Sequence, residues 1–436
     1  MKKALRIVGA LLLLAVIGGC IYLDTLMPII TGYGAKNMAS AVFVSGRDAA
    51  TVKDLDLNFS FIKFDKFRID YENRTVTSRF LWRKATAVYR EGSGVTLLRG
   101  AKADDLPAFP LPPEDDAVAP LPAGDSAEVA ALEPIAKAFV DERSYNGHPF
   151  AFVVLHKGKV VAERYDEGIG PDTKLLSWSM GKSFTNALIG LMAADGMLDI
   201  DAPLNLPEWQ NDGRKGITLH HLMQMQSGLD WNEDYGARSD VNLMLHCEPD
   251  MGLFAQEHPL AYEPGTHWYY SSGSTNIVMR YLKGLFPSDE AFLGYIRERL
   301  FAPLGIRNAV WEVDVAGTPV GSSYLYVRPM DYARFGELYL EDGCVAGERL
   351  LQEGWVDYTV TPASDSGGQY GAFFWLNQCG RYPDAPADLF SCNGHDGQQI
   401  FIIPSRELVV VILGYSPKPD RVIDFNRLLK DVMEVL

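Results

Sequence analysis

The chain opens with a charge-free apolar run from Ile7 to Leu23, preceded by Lys2, Lys3 and Arg6 and closed by Asp24. As a helix such a run reaches about 25 Å, the short end of what spans a bilayer. From about Gly34 to Gly100 the pattern changes to short segments that read as strands. Ala41 to Val44 and Phe61 to Phe64 are apolar or nearly so, while Arg74 to Thr77 and Ala87 to Tyr89 are rich in β-branched and aromatic residues. Between Leu106 and Pro122 stand Pro107, Pro110, Pro112, Pro113 and Pro120, around Glu114-Asp115-Asp116. Proline at that density stops helix and ladder alike and predicts an extended linker.

Beyond Glu128 the periodic elements lengthen. Ala151 to Leu155 and Lys159 to Tyr165 flank His156-Lys157-Gly158, a hairpin with its turn at Lys157-Gly158. From Ser183 to Met197 the apolar residues Phe184, Ala187, Leu188, Leu191 and Met192 fall at helical spacing. Near the carboxyl end, Gln399 to Pro404 and Leu408 to Leu413 form a second hairpin, and Arg421 to Leu436 reads as a closing amphipathic helix. Hairpins at both ends with helices between them predict an α+β fold, an antiparallel sheet flanked by helices. The chain divides into an anchor or signal segment (1–30), a small β-rich module (31–100), a Pro/Asp-rich linker (101–127) and one large domain (128–436).

Composition narrows the function. A chain of 436 residues that is 47% hydrophobic is too apolar for disorder, and a net charge of −16 without a Lys/Arg run excludes a general nucleic-acid binder. Five cysteines, none in a C-x-x-C pair, exclude a disulfide-built scaffold. The charge asymmetry also orients the first segment: Lys2, Lys3 and Arg6 favour a cytoplasmic amino terminus with the acidic body exported. Gly18-Gly19-Cys20 suits a lipoprotein signal and a cleaved secretory signal is a third reading, but apolar Ile21, Tyr22, Leu26, Met27 and Ile29 favour a retained membrane anchor.

The candidate chemistry lies in Ser179-Met180-Gly181-Lys182, at the start of the long helix. Serine is a weak nucleophile at its free pKa and needs a neighbouring base and an oxyanion site. Ser in a first helical turn with Lys three residues on puts both side chains on one face, where the helix amino terminus favours negative charge and a neutral lysine. In isolation the motif reads more readily as a capping serine with a solvated lysine. No G-x-S-x-G, H-E-x-x-H, Walker loop or G-x-G-x-x-G occurs, and adjacent His220 and His221 cannot both face one metal from a helix.

The company of the motif decides. Ser179-Met180-Gly181-Lys182-Ser183-Phe184-Thr185 after a hairpin resembles the serine β-lactamase and penicillin-binding superfamily, and within it the class C β-lactamase-related esterases and 6-aminohexanoate-dimer hydrolases. The likeness continues in order through Gly196 to Pro203, Ile217 to Leu222, Ser227-Gly228-Leu229, Pro264 to Ser272, Pro329 to Gly336 and Gly394-His395-Asp396-Gly397, over about residues 130 to 436. It implies an antiparallel sheet flanked by helices plus an all-helical subdomain. Carried over, Ser179 is the nucleophile, Lys182 helps deprotonate it, and Tyr270, rather than neighbouring Tyr269, shares proton transfer. The backbone N–H groups of Ser179 and Gln398 are the implied oxyanion donors.

Two departures from the family pattern move the expected substrate. Ser272 stands where β-lactamases of this class carry Asn, and His395, ahead of Gly397, replaces the Lys of the K-T-G motif; Ser272, His395 and Gly397 are the implied substrate-binding residues. The weaker positive charge and shorter side chain point from β-lactams toward small esters or amides. No metal or organic cofactor is implied. Trp231, Tyr235, Phe374 and Trp375 are aromatic candidates for the pocket mouth, and Cys379 with Cys392 would pin the loop beside the site if bridged, two free thiols being the alternative. Two other functions stay open: a non-catalytic envelope protein binding peptidoglycan or another protein, and a D-alanyl-D-alanine carboxypeptidase or β-lactamase.

Overall fold

The computed structural model describes residues 2–106, 109, 118–416 and 422–436. Helix α1 (Lys2–Phe43) is one element whose two halves have different surroundings. Leu5, Leu11, Leu14, Ile17 and Tyr22 are exposed, whereas Met27, Ile30, Ala35, Met38, Ala39 and Ala41 are buried. The buried stripe recurs at helical spacing and packs on a four-stranded antiparallel sheet of β1 (Lys66–Asp70), β2 (Thr75–Phe80), β3 (Arg83–Arg90) and β4 (Gly94–Leu97), in that order. Small Ala85 and Ala87 on the facing side let the helix approach.

Two expected strands are therefore corrected. Ala41 to Phe43 is the last turn of α1, because Ala41 completes the buried stripe, and Val44 follows in a turn. Phe61 to Phe64 is a tight helical turn that buries only Ile62. The strands expected at Arg74–Thr77 and Ala87–Tyr89 fall in β2 and β3, except that Arg74 is left-handed in the turn before β2. One helix crosses residue 30, so the apolar segment and the small module are mechanically continuous.

The module is tied to the large body by buried polar groups. Lys36 Nζ pairs with Glu312, which also accepts from Ser40 Oγ at 2.8 Å and from the Val95 N–H at 2.9 Å. Arg99 bridges α1 and the body, donating to the Pro28 and His246 carbonyls at 2.7 Å each.

Residues 107, 108 and 110–117 of the Pro/Asp-rich stretch lie outside the described residues. Its end runs beside the large sheet, where Gly124 N–H donates to Val160 O (2.8 Å) and Val160 N–H to Pro122 O (2.9 Å). Helix α2 (Ser126–Val140) follows, then the hairpin of β5 (His148–His156) and β6 (Lys159–Tyr165), with Lys157 and Gly158 both left-handed at its turn.

With β7 (Trp375–Leu376), β8 (Phe390–Asn393), β9 (Gln399–Ile403) and β10 (Leu408–Tyr415) this hairpin builds a six-stranded antiparallel sheet in the order β7-β8-β9-β10-β5-β6. Alternate residues face opposite layers. Phe152, Val154, Phe401, Ile403, Val410 and Ile412 meet α2 and the closing helix, while Val153, Leu155, Ile400, Ile402, Val409 and Val411 meet the central helices. Covering both faces explains why Leu408 to Leu413 shows no polar alternation.

The central helices are α3 (Gly181–Ala194), α4 (Leu219–Met223), α5 (Ser272–Gly284) and α6 (Pro329–Leu340), and α7 (Phe425–Val435) closes the chain. The expected start of that last helix, Arg421, lies outside the described residues. Gly336 brings α6 onto the sheet, since a Cβ there would stand 2.6 Å from Val409 Cγ1.

Candidate functional site

Ser179 sits in a tight helical turn, Trp178–Met180, that runs straight into α3. Trp178 is left-handed (φ +45°), a conformation costly for a bulky residue unless its surroundings impose it. They do. The Ser177 N–H donates to Leu325 O at 2.8 Å, and Ser177 Oγ donates to Ser323 O at 2.5 Å. The Trp178 indole is held by Tyr33 of α1 in a stacked contact (centroids 6.2 Å apart) and by His395 edge-on at 5.5 Å. A cavity of about 60 Å³ lies behind this turn, between α1 and the body, lined in part by Tyr33, Trp178, Asp396 and Gln398.

Lys182, one turn along α3, is buried and uses all three of its donor positions. Its Nζ lies 3.0 Å from Ser179 Oγ, 3.0 Å from Ser272 Oγ and 3.1 Å from Ser322 O. Burial pulls its pKa down to about 8, partly opposed by the Glu233 carboxylate. Once neutral, the amine keeps two N–H groups for Ser272 and Ser322 and leaves its lone pair toward Ser179.

Ser272, expected to face substrate, instead has no exposed surface and belongs to the hydrogen-bond set of the lysine. Its hydroxyl donates to Glu233 Oε1 at 2.5 Å, its N–H to Oε2 at 2.9 Å. Glu233 is further held by the Trp231 indole (2.6 Å) and the Tyr235 hydroxyl (3.1 Å). Sequence reasoning missed Glu233. The alternation Trp231-x-Glu233-x-Tyr235 was its only trace, and of these only the aromatics stood out.

The Tyr270 side chain lies beside Ser179, and Lys182 Nζ lies 4.9 Å from the centre of its ring. Burial, then Glu233, pushes its pKa up, so it stands as a neutral donor. Tyr269 points elsewhere, exposed and accepting from the Glu233 N–H. Among the expected mouth aromatics, Trp375 packs 5.3 Å from the Tyr270 ring and Tyr235 stacks 5.4 Å from His395, but Phe374 is wholly buried core.

The opposite wall is the segment between β8 and β9. His395 to Gly397 is a turn rather than strand, because Asp396 (φ +57°) and Gly397 (φ +88°) are both left-handed. His395 is exposed between Trp178 and Tyr235. The Gln398 side chain locks the turn, donating to His395 O (3.1 Å) and Gly414 O (2.6 Å). Gly394 N–H donates to Gln398 O at 2.8 Å, while among the described residues the Gln398 N–H takes no backbone acceptor. A Cβ on Gly394 would come within 2.3 Å of Ser177 O, so this wall abuts the serine turn directly.

Other candidates are structural. His221 closes a capping box with Thr218 at the start of α4, and His220 meets the Tyr358 hydroxyl at 3.0 Å. Cys379 is exposed and Cys392 buried, both as free thiols, so no bridge pins the loop between them.

Against known proteins, the family model for β-lactamase matches residues 134–432. The chain belongs to the β-lactamase family. It is 27% identical over 299 residues to a 6-aminohexanoate-dimer hydrolase of Paenarthrobacter ureafaciens, covering 62% of this chain and 73% of that one. Among solved structures, one described as a 6-aminohexanoate-dimer hydrolase from Bacillus anthracis superposes with a TM-score of 0.59 at 21% identity, over 73% of this chain and 87% of its own. A family VIII carboxylesterase gives 0.54 at 15% identity, over 72% and 99%. At such identities the structures establish the shared fold: the mixed helical and antiparallel architecture is that of β-lactamase-fold hydrolases, and the amino-terminal module precedes the matched region.

Proposed function

We propose that this β-lactamase-family enzyme is a serine hydrolase that cleaves small esters or amides through an acyl-enzyme and is held at a membrane by the apolar half of α1. The observation that carries the chemistry is the buried Lys182 amine 3.0 Å from Ser179 Oγ. Neutral Lys182 takes the serine proton as Oγ attacks the substrate carbonyl. The N–H groups of Ser179 and Gln398 stabilise the resulting oxyanion. The C–O or C–N bond then breaks, and the leaving group takes the proton from the Lys182–Tyr270 pair. Water, deprotonated by the same pair, attacks the acyl carbon, releasing the acid and restoring Ser179.

Ester and small-amide substrates are favoured by the relatives named above and by the absence of a fixed cation at His395. Ser272, bound to Glu233, serves to position Lys182 rather than substrate. His395, exposed beside Tyr235 and Trp178, is the residue placed to meet the acyl or leaving group. A binding-only protein would gain nothing from a lysine buried against a serine in this way.

Fluorophosphonate labelling tests the nucleophile: wild-type protein should label and Ser179→Ala should not. Equal labelling of both sinks the assignment. Turnover of p-nitrophenyl butyrate and an aminohexanoate-type amide, but not of nitrocefin, is the expected substrate profile.

A further inference from the structure

Five exposed basic residues crowd one end of the amino-terminal sheet in a chain whose net charge is −16. They are Lys63, Lys66, Arg79, Arg83 and Lys84. Lys66 lies opposite Arg79 in the β1–β2 register, and the β2–β3 hairpin tip carries Leu81 and Trp82 just before Arg83. Around them stand Phe61, Phe64, Leu81 and Trp82, each between 45% and 58% exposed. Phe61 packs on Phe80 (centroids 6.1 Å apart) and Lys63 Nζ lies 5.2 Å from the Phe64 ring centre, so these groups share one end of the sheet.

That end is level with the place where α1 leaves its apolar half. Asp24 accepts from the Trp82 indole at 2.7 Å and from Arg83 Nε at 2.8 Å and Nη2 at 2.6 Å. The stretch before Asp24 is exposed and apolar enough to cross a bilayer, with a mean hydropathy of 2.3. Two nearby carboxylates offset only part of this charge. Asp24 neutralises Arg83, and Asp65, buried under the Ser78 hydroxyl with its pKa pushed up to about 6 by burial, is still largely ionised at neutral pH, so Lys63, Lys66, Arg79 and Lys84 leave this end net positive. The other end of the sheet, reached by about 28 Å of helix at Phe43 against Tyr71, is mixed in sign: Asp70, Glu72 and Glu91 accompany Arg74 and Arg90.

Trp and other aromatics favour the headgroup level of a bilayer, and Lys/Arg clusters are drawn to an anionic leaflet while their stems lie along apolar surface. We infer that the β2–β3 tip and the Phe61–Phe64 turn form a collar around the exit of α1 that seats on an anionic lipid headgroup layer, a second membrane contact beside the helix. It rests on reading α1 as a retained anchor. Through α1 and its Tyr33–Trp178 contact, the collar would hold the site at a fixed height above the bilayer.

The test uses the full chain in nanodiscs of phosphatidylcholine, with or without phosphatidylglycerol, made from plain or bromine-labelled lipids. The emission lost between wild type and Trp82→Phe isolates Trp82. In discs containing phosphatidylglycerol, brominated lipids should quench at least half of it. A Lys63→Gln, Lys66→Gln, Arg79→Gln, Lys84→Gln variant should reduce that quenching about twofold and remove its dependence on phosphatidylglycerol.

Hydrogen exchange over residues 79–84 reads the same contact without altering Trp82, and should be slower in discs containing phosphatidylglycerol than in phosphatidylcholine alone. Protein that co-elutes with discs, yet shows unquenched Trp82 and unchanged exchange, overturns the collar while the anchor stands, and leaves this face to a soluble partner. Protein that elutes free of discs overturns the anchor and the collar with it.

Discussion

Glu233→Gln probes the electrostatics of the site most directly. The carboxylate faces Lys182 across one hydroxyl, with 3.0 Å from Nζ to Ser272 Oγ and 2.5 Å from there to Oε1, so the two charges are at most about 5.5 Å apart. At an effective dielectric of 20 that separation corresponds to about 3 kcal/mol, or about two pH units. Glu233 is only half-buried, and solvent screening brings the expected effect to about one unit. The sign follows from the charge. A carboxylate favours protonated lysine, so removing it lets the proton leave at lower pH than the value of about 8 set by burial. The acid limb of kcat/KM for p-nitrophenyl butyrate, followed at the isosbestic wavelength of p-nitrophenol, should therefore move down by about one pH unit. The plateau should fall because Ser272 loses an acceptor. A limb that stays in place, or moves up, would show that Lys182 is not the titrating base.

Three further perturbations address other parts of the arrangement. Lys182→Met removes the proton acceptor without burying a new charge, and kcat/KM should fall by about 10²–10⁴-fold while the near-UV circular dichroism is kept; a loss under tenfold would move the base elsewhere. Gly394→Ala puts a methyl 2.3 Å from the Ser177 carbonyl, so the wall and the serine turn must part; an overpacking cost of about 1–3 kcal/mol in urea unfolding and a tenfold or greater loss of kcat/KM are expected, and unchanged kinetics would separate this wall from catalysis. Glu312→Gln leaves Lys36 buried without its counter-charge, at a cost of about 3–5 kcal/mol; thermal unfolding should show the module and body uncoupled, and an unaltered Tm would mean that this pair does not join them.

The parts of the site legible in the sequence are those set by spacing along one element. Ser179 and Lys182 share a helix, so three residues of separation are enough to put their side chains together. Tyr270 rather than Tyr269 came from the resemblance; Tyr269 is exposed and its hydroxyl accepts from the Glu233 N–H. Glu233 and the Ser322 carbonyl reach Lys182 only through chain reversals, and no local pattern marks them. Ser272 was readable as a departure from a motif but not as a buried link in a chain of hydrogen bonds, because its exposure depends on Trp231, Tyr235 and Glu233 closing over it. The resemblance sets His395 to Gly397 in the place of a strand motif, yet left-handed Asp396 and Gly397 make it a turn.

The same division holds for the whole molecule. Period and punctuation determined the two hairpins of the large sheet, the long helix after Ser179, the apolar leader and the acidic body, since each depends on neighbours along the chain. Past Gly34 the sequence reads wrongly as strand at Ala41 to Val44, because short apolar segments suit helix and strand alike. Only packing decided it: once the sheet of β1 to β4 offers a face lined by Ala85 and Ala87, burying one stripe of α1 from Met27 to Ala41 stabilises a continuous helix over separate strands. Tertiary structure also decided that this helix stands behind Trp178, because burial and charge pairing at Lys36 and Glu312 are long-range terms that no window of sequence contains.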